Sequence, residues 1–140
     1  MNVRQVTTDK EREDAFQVRM TVFVEEQKVP PEEELDAHDE TAIHFISYDE
    51  EKAVAASRLR FVEEYGKLER ICVLKTYRGR DIGKQIIHEM EAVILKNGYK
   101  KAKLNAQTHA QVFYQKLGYE TVSREFMDAG IPHVTMIKTF

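Results

Sequence analysis

The sequence predicts a single α/β domain with a mixed, mostly antiparallel sheet and helices on both faces. Three observations carry this. The chain has 140 residues, 42% hydrophobic and 32% charged, which suits one soluble domain with one core. Three strand-like runs, residues 42–48, 53–63 and 67–74, are separated by Asp49-Glu50-Glu51 and Glu64-Tyr65-Gly66. Both separators are short enough for hairpin turns, so the runs read as an antiparallel meander. The last run then leads through a glycine-bearing turn and a long helical stripe to another strand. Such a β-α-β crossover joins parallel strands.

Each element has its own signal. Residues 2–6 read as a first strand. Asp9 is placed to cap a helix over residues 10–27, with Phe16, Met20 and Phe23 at helical spacing. Pro30-Pro31 ends it, and the acidic stretch 32–40 lacks periodicity and reads as a solvated loop. After the meander, Ile82, Ile86, Met90 and Ile94 recur every four residues, and Gly98 fits a helix C-terminus. Residues 101–107 alternate, with Ala102, Leu104 and Ala106 on one face. Thr108 and Gln111 have capping-box spacing before a short helix lined by Ala110, Phe113, Tyr114 and Leu117, which Gly118 closes. Residues 120–126 and 133–139 read as the last two strands, with a turn at Asp128-Ala129-Gly130. The order is β-α-β-β-β-α-β-α-β-β within one domain, residues 1–140.

The bulk numbers exclude several classes. A net charge of −3 argues against a general nucleic-acid binder. No run reaches the roughly 18 apolar residues of a membrane span, and the first residues lack the apolar stretch of a signal peptide. Cys72 is the single cysteine, so no internal disulfide forms and the expected address is cytoplasmic. His38, Asp39 and His44 match no metal-ligand spacing, so no metal is expected.

The chemistry-bearing stretch is Tyr77-Arg78-Gly79-Arg80-Asp81-Ile82-Gly83-Lys84. It opens the long helix. Unpaired N–H groups and the helix dipole favour phosphate there, and Arg78, Arg80 and Lys84 add full charges. No Gly-Lys-Ser or Gly-Lys-Thr closes it, and its glycines are wrongly spaced for a dinucleotide fingerprint. A second segment, Phe113-Tyr114-Gln115-Lys116-Leu117-Gly118-Tyr119, taken alone is an amphipathic helix with core aromatics.

In this order and spacing the two segments resemble the GNAT superfamily of acetyl-CoA-dependent N-acetyltransferases. Arg78 and Gly83 take the first and last places of that family's Arg/Gln-x-x-Gly-x-Gly/Ala turn, and residues 113–119 match its Phe-Tyr-x-Lys-Leu-Gly-Phe-like segment. The run Arg19 to Gln27, with Asp36, Asp39 and His44, is similar to the ElaA-type branch. A fainter likeness joins it to acyl-homoserine-lactone synthases, which use other acyl donors.

The resemblance implies a cosubstrate, acetyl-CoA, and an amine acceptor, small molecule or peptide. Backbone amides of Arg78, Gly79, Arg80, Ile82, Gly83 and Lys84 would hold the pyrophosphate. Ile71, Cys72 and Val73 would bond the pantetheine arm and orient the thioester, with Asn105 within reach. Tyr114 would assist the departing thiolate, and Glu69 is a candidate base beside His109, His44 and His38. Asp81 stands where the family has glycine. It is expected to cap the helix, with repulsion of pyrophosphate as the competing reading. Cys72 is expected to pack rather than carry acyl groups, so transfer is direct. The acidic stretch would favour a cationic amine if it lines the acceptor site. The late strands offer a surface for a homodimer. A coenzyme-A-binding sensor without turnover is the reading from another class.

Overall fold

The computed structural model describes residues 2–140. The elements are β1 (Asn2–Gln5), α1 (Asp9–Arg19), α2 (Pro31–Glu34), β2 (Ile43–Asp49), β3 (Lys52–Val62), β4 (Tyr65–Val73), α3 (Ile82–Lys96), β5 (Lys101–Gln107), α4 (Gln111–Lys116), β6 (Glu120–Thr121), β7 (Phe126–Asp128) and β8 (Ile131–Thr139). All strands join one sheet in the order β1-β2-β3-β4-β5-β8-β6, with β7 also paired to β8. The β4–β5 pair is parallel, as the crossover requires. The meander is antiparallel. The expected last-but-one strand is split into β6 and β7: Val122 N still donates to Thr135 O at 2.9 Å, but the Thr135 N–H goes to the Ser123 hydroxyl instead of a backbone carbonyl.

Helices cover both faces. On one, the Ile82, Ile86, Met90 and Ile94 stripe of α3 packs on Phe45, Leu59, Leu68 and Leu104. Gly66 makes this approach close: a Cβ there would lie 2.4 Å from Ile94. On the other face, Ala15 and Val18 of α1, with Val22, cover Ile46, Ala56 and Cys72. Among the described residues no helix is long and apolar enough to cross a membrane.

The first helix departs from expectation at both ends. Its cap is Thr8, whose side chain accepts from Glu11 N while Glu11 accepts in return. Asp9 is the first helical residue. The α-helix ends at Arg19, and Met20–Glu26 winds as a π-helix, with Gln27 N bonded to Val22 O at 3.0 Å. Such wide turns cluster at functional sites.

The acidic stretch is not simply solvated. It forms α2 and a 3₁₀ turn, Ala37–Glu40, and its acids meet arginines inside the protein. Arg19 is fully buried, bonding Glu34 at 2.7 Å and Asp39 at 2.7 Å. Arg58, also buried, reaches Asp36 at 2.7 Å and Asp39 at 3.0 Å. Burial alone would raise the Asp39 pKa, but the Arg19 hydrogen bonds and charge outweigh it and hold the carboxyl low. Burial wins at Glu34, whose pKa is raised despite Arg19. The arrangement fixes where α2 sits against α1 and β3. Arg19→Leu would leave two buried carboxylates without their main partner. It is expected to cost roughly 3–5 kcal/mol, read as a lower urea midpoint.

Candidate active site

The site begins where the parallel pair stops pairing. β4 and β5 are in register from Tyr65↔Lys101 to Leu68↔Leu104 and no further. The cause lies in β4. Arg58 pairs Glu69 while Ala56 pairs Cys72, so β4 holds one extra residue, a β-bulge. Arg70 absorbs it at φ 56, a conformation that costs a non-glycine residue roughly 1–2 kcal/mol. Its guanidinium is anchored to the Glu34 and Glu33 carbonyls at 3.3 and 3.2 Å. The bulge also switches faces: Leu68 is buried on the α3 side, whereas Cys72 is buried on the α1 side. Beyond it, the β4 edge from Glu69 to Val73 faces a gap instead of a ladder.

The glycine turn sits at the open end of that gap. Gly79 takes φ 81 and Asp81 takes φ 63. The Asp81 side chain makes no capping hydrogen bond, which corrects the expected cap. A positive φ at the helix threshold accounts for glycine in the family's motif, and Asp is among the residues that tolerate it. The N–H groups of Ile82, Gly83 and Lys84 therefore start α3 without an intrahelical acceptor or a side-chain cap. Arg78 is committed elsewhere. Its Nε donates to Val73 O at 3.0 Å, and its two terminal nitrogens grip Glu26 at 2.7 Å each. Its guanidinium is thus a brace from the turn to the π-helix rather than a free phosphate ligand. Arg80 lies over the Tyr77 ring at 5.0 Å and is the one predicted coenzyme-binding residue that does not line the cleft.

One cleft of about 1210 Å³ joins these parts and is lined by every other predicted coenzyme-binding residue and by Glu69 and Tyr114. That exceeds the ~300–1,000 Å³ of ordinary small-ligand pockets and suits an elongated ligand. Tyr114 enters it half-buried, held edge-on between Phe113 at 5.1 Å and Tyr119 at 6.1 Å. Burial raises its pKa, so the phenol keeps its proton. Its hydroxyl has no hydrogen-bond partner among the described residues. The expected capping box before it is absent: Thr108 caps nothing, and Gln111 donates to Thr121 at 2.6 Å. Asn105 lines the cleft and accepts from Thr135 at 2.9 Å.

Cys72 packs, as expected. Burial pushes its thiol up to about 12, and Sγ donates to Ala56 O at 3.6 Å. Glu69 is unsuited to the base role. Arg60 grips it at 2.7 Å and Arg58 at 2.9 Å, with Lys67 at 3.2 Å. Burial would raise its pKa, but the Arg60 hydrogen bond and these charges outweigh it and leave it at about 2. A carboxylate so stabilised is a poor proton acceptor. His38 is exposed and His44 is buried against Asp39 O; neither lines the cleft.

Two groups were missed by the sequence reading. Glu26 is the Arg78 partner, a contact 52 residues apart that no local pattern reveals. His133 on β8 lines the cleft beside Ile131 and Asp128. A single histidine in an alternating strand carries no signal of its own; only the register opposite Gln107 places it there.

Comparison with known proteins follows the same lines. The profile of an acetyltransferase (GNAT) domain matches residues 7–140. The N-acetyltransferase YjcF of Bacillus subtilis is 48% identical over 131 residues, covering 93% of this chain and 94% of its own. The crystal structure of Escherichia coli ElaA superposes with a TM-score of 0.90 at 26% identity, covering 99% of each chain. An aminoglycoside 6'-N-acetyltransferase complexed with coenzyme A shares the fold, with a TM-score of 0.78 at 15% identity over 99% of this chain and 97% of that one. A β4 that bulges away from its parallel neighbour, an uncapped helix start and matching sequence throughout thus converge: the chain belongs to the GNAT family of N-acetyltransferases.

Proposed function

We propose that this enzyme transfers an acetyl group from acetyl-CoA to a primary amine by direct attack of the amine on the thioester. The carrying observation is that the loss of β4–β5 pairing after Leu68 opens into the same cleft as the α3 N-terminus. Strand amides suited to a pantetheine arm and helix amides suited to a pyrophosphate therefore line one continuous groove. The coenzyme A complex of the aminoglycoside acetyltransferase supports the choice of ligand.

The residues divide the work. Alternate backbone groups of Ile71, Cys72 and Val73 hold the arm and polarise the thioester carbonyl. Gly79, Ile82, Gly83 and Lys84 hold the diphosphate, with the exposed Lys84 supplying free positive charge. Tyr114 donates a hydrogen bond that strengthens as charge builds on sulfur. Its raised pKa favours sharing the proton over releasing it. The buried, protonated Cys72 gives no covalent intermediate. At the other end of the cleft, Glu32 and Glu33 line the wall without salt-bridge partners among the described residues, which supports a cationic amine as acceptor. The lone cysteine, with no disulfide to form, supports a cytoplasmic address.

Thiol release from acetyl-CoA is the direct test, with spermidine, kanamycin and a lysine peptide as acceptors. Release that depends on one amine is expected. Binding of acetyl-CoA without release across the panel would favour a sensor, and release only with longer acyl donors would reassign the donor. Tyr114→Phe is expected to lower kcat roughly 100-fold with KM for acetyl-CoA little changed; full turnover would remove the donor role. Asp81→Gly is expected to tighten acetyl-CoA binding several-fold, because it removes a carboxylate beside the diphosphate without losing a cap. Unchanged affinity at low salt, where such repulsion is least screened, would show that the carboxylate does not face the ligand.

A further inference from the structure

Amine acetylation requires a proton acceptor, and the arginine and lysine partners of Glu69 remove it from that role. Two of the five histidines line the cleft, His109 and His133. They differ in what their rings can do. His109 is exposed, and its Nε2 bonds Gln107 Oε1 at 2.6 Å. Gln107 donates in turn to Gln27 at 2.8 Å, so its carbonyl accepts and His109 Nε2 carries a proton. In its neutral form that ring then carries its lone pair on Nδ1, and the ring is exposed rather than held by packing.

His133 is arranged the other way. Its Nδ1 lies 2.7 Å from the carbonyl oxygen of Ile131. A carbonyl can only accept, so Nδ1 carries the hydrogen. In the neutral ring Nε2 is then an unprotonated lone pair. The residue is 8% exposed, and its ring stacks on Phe126 at 6.0 Å. Nε2 has no partner among the described residues, yet it is not one of the sealed orphan atoms, which are His44 Nδ1, Ser47 Oγ and Ser57 Oγ. The residue lines the cleft, so an unsealed ring nitrogen has the cleft beside it. The hydrogen bond thus fixes the tautomer, and burial and stacking hold the ring in place. The titratable neighbours lining the cleft on the adjoining elements are Asp128 on β7 and His109 after β5; Gln107, opposite in register, is neutral.

We propose that His133 is the general base, with Nε2 accepting the proton of the attacking amine. The inference rests on the amine-acetylation reading. As the amine nitrogen forms its bond to the thioester carbon, its N–H proton passes to Nε2. The C–S bond breaks with its electron pair on sulfur, and the thiolate, hydrogen-bonded by the Tyr114 hydroxyl, takes a proton from solvent. Nε2–H then returns its proton to solvent. Acetyl-CoA and amine become amide and free thiol with nothing left over. The Ile131 carbonyl, holding Nδ1–H, steadies the imidazolium formed in between.

The test combines three measurements on the full chain. Ring ¹⁵N spectra of the wild type are expected to show His133 protonated at Nδ1 and bare at Nε2 when neutral; protonation at Nε2 overturns the proposal whatever the variants do. His133→Ala is expected to lose roughly 100-fold or more in kcat with the KM of acetyl-CoA preserved. The pH profile of its remaining rate should differ from that of the wild type, and added imidazole should restore part of the rate. A thermal shift by acetyl-CoA equal to that of the wild type certifies the variant as folded, and His133→Gln serves where it is not. A folded variant with wild-type kcat and pH profile sinks the base while leaving amine acetylation intact. A wild type that binds acetyl-CoA but acetylates no amine in the panel sinks the reading on which the base depends.

Discussion

The feature on which the rest depends is the interruption of β4 at Arg70. A parallel pair in a covered sheet normally runs its full length, because every unpaired backbone group buried there is costly. Here one inserted residue ends the pairing after Leu68 and Leu104. The gap exposes strand amides at the place where the crossover connection delivers a helix N-terminus. Strand and helix thus present hydrogen-bond donors to one groove. The groove exists because a local defect is held open, not because a cavity happens to remain between packed layers.

Holding the defect open takes charge. Arg70 is strained at φ 56 and is anchored through its side chain to α2. That segment is in turn fixed by Arg19 and Arg58, buried and paired with Glu34, Asp36 and Asp39. Glu69, next to the bulge, completes the set with Arg58, Arg60 and Lys67. Buried ion pairs are weak sources of net stability, but breaking one is expensive. Such a set suits a task of positioning: it allows one placement of α2 and penalises others. The same commitment explains why Glu69, beside the bulge, is a poor base. The charge of Glu69 is used up in geometry, which is why we assign the proton transfer to His133 on another strand.

The legible part of this architecture was the periodic part. The meander, the α3 stripe and the alternating β5 follow from spacing, and with the glycine turn and the tyrosine segment they point to the family. Most of what escaped has long-range causes. The 32–40 stretch looks solvated because its arginine partners lie at positions 19, 58 and 70. Asp81 looks like a cap because its residue type favours capping; only the backbone angle shows a glycine-like position kept by another residue. Thr8 took the cap from Asp9 through a reciprocal bond with Glu11, a signal present in the sequence and passed over. Arg78 looks free until Glu26 arrives on a π-turn that no periodicity announces. His133 becomes visible only through strand register.

The central claim is that the bulged strand edge and the uncapped helix start bind one ligand together. Backbone amide shifts during titration with coenzyme A test it most directly. Saturable changes are expected at Ile71 to Val73 and at Gly79 to Lys84, moving with a single dissociation constant. Changes confined to the helix start, with the β4 edge undisturbed at saturation, would contradict it and reduce the groove to a phosphate site.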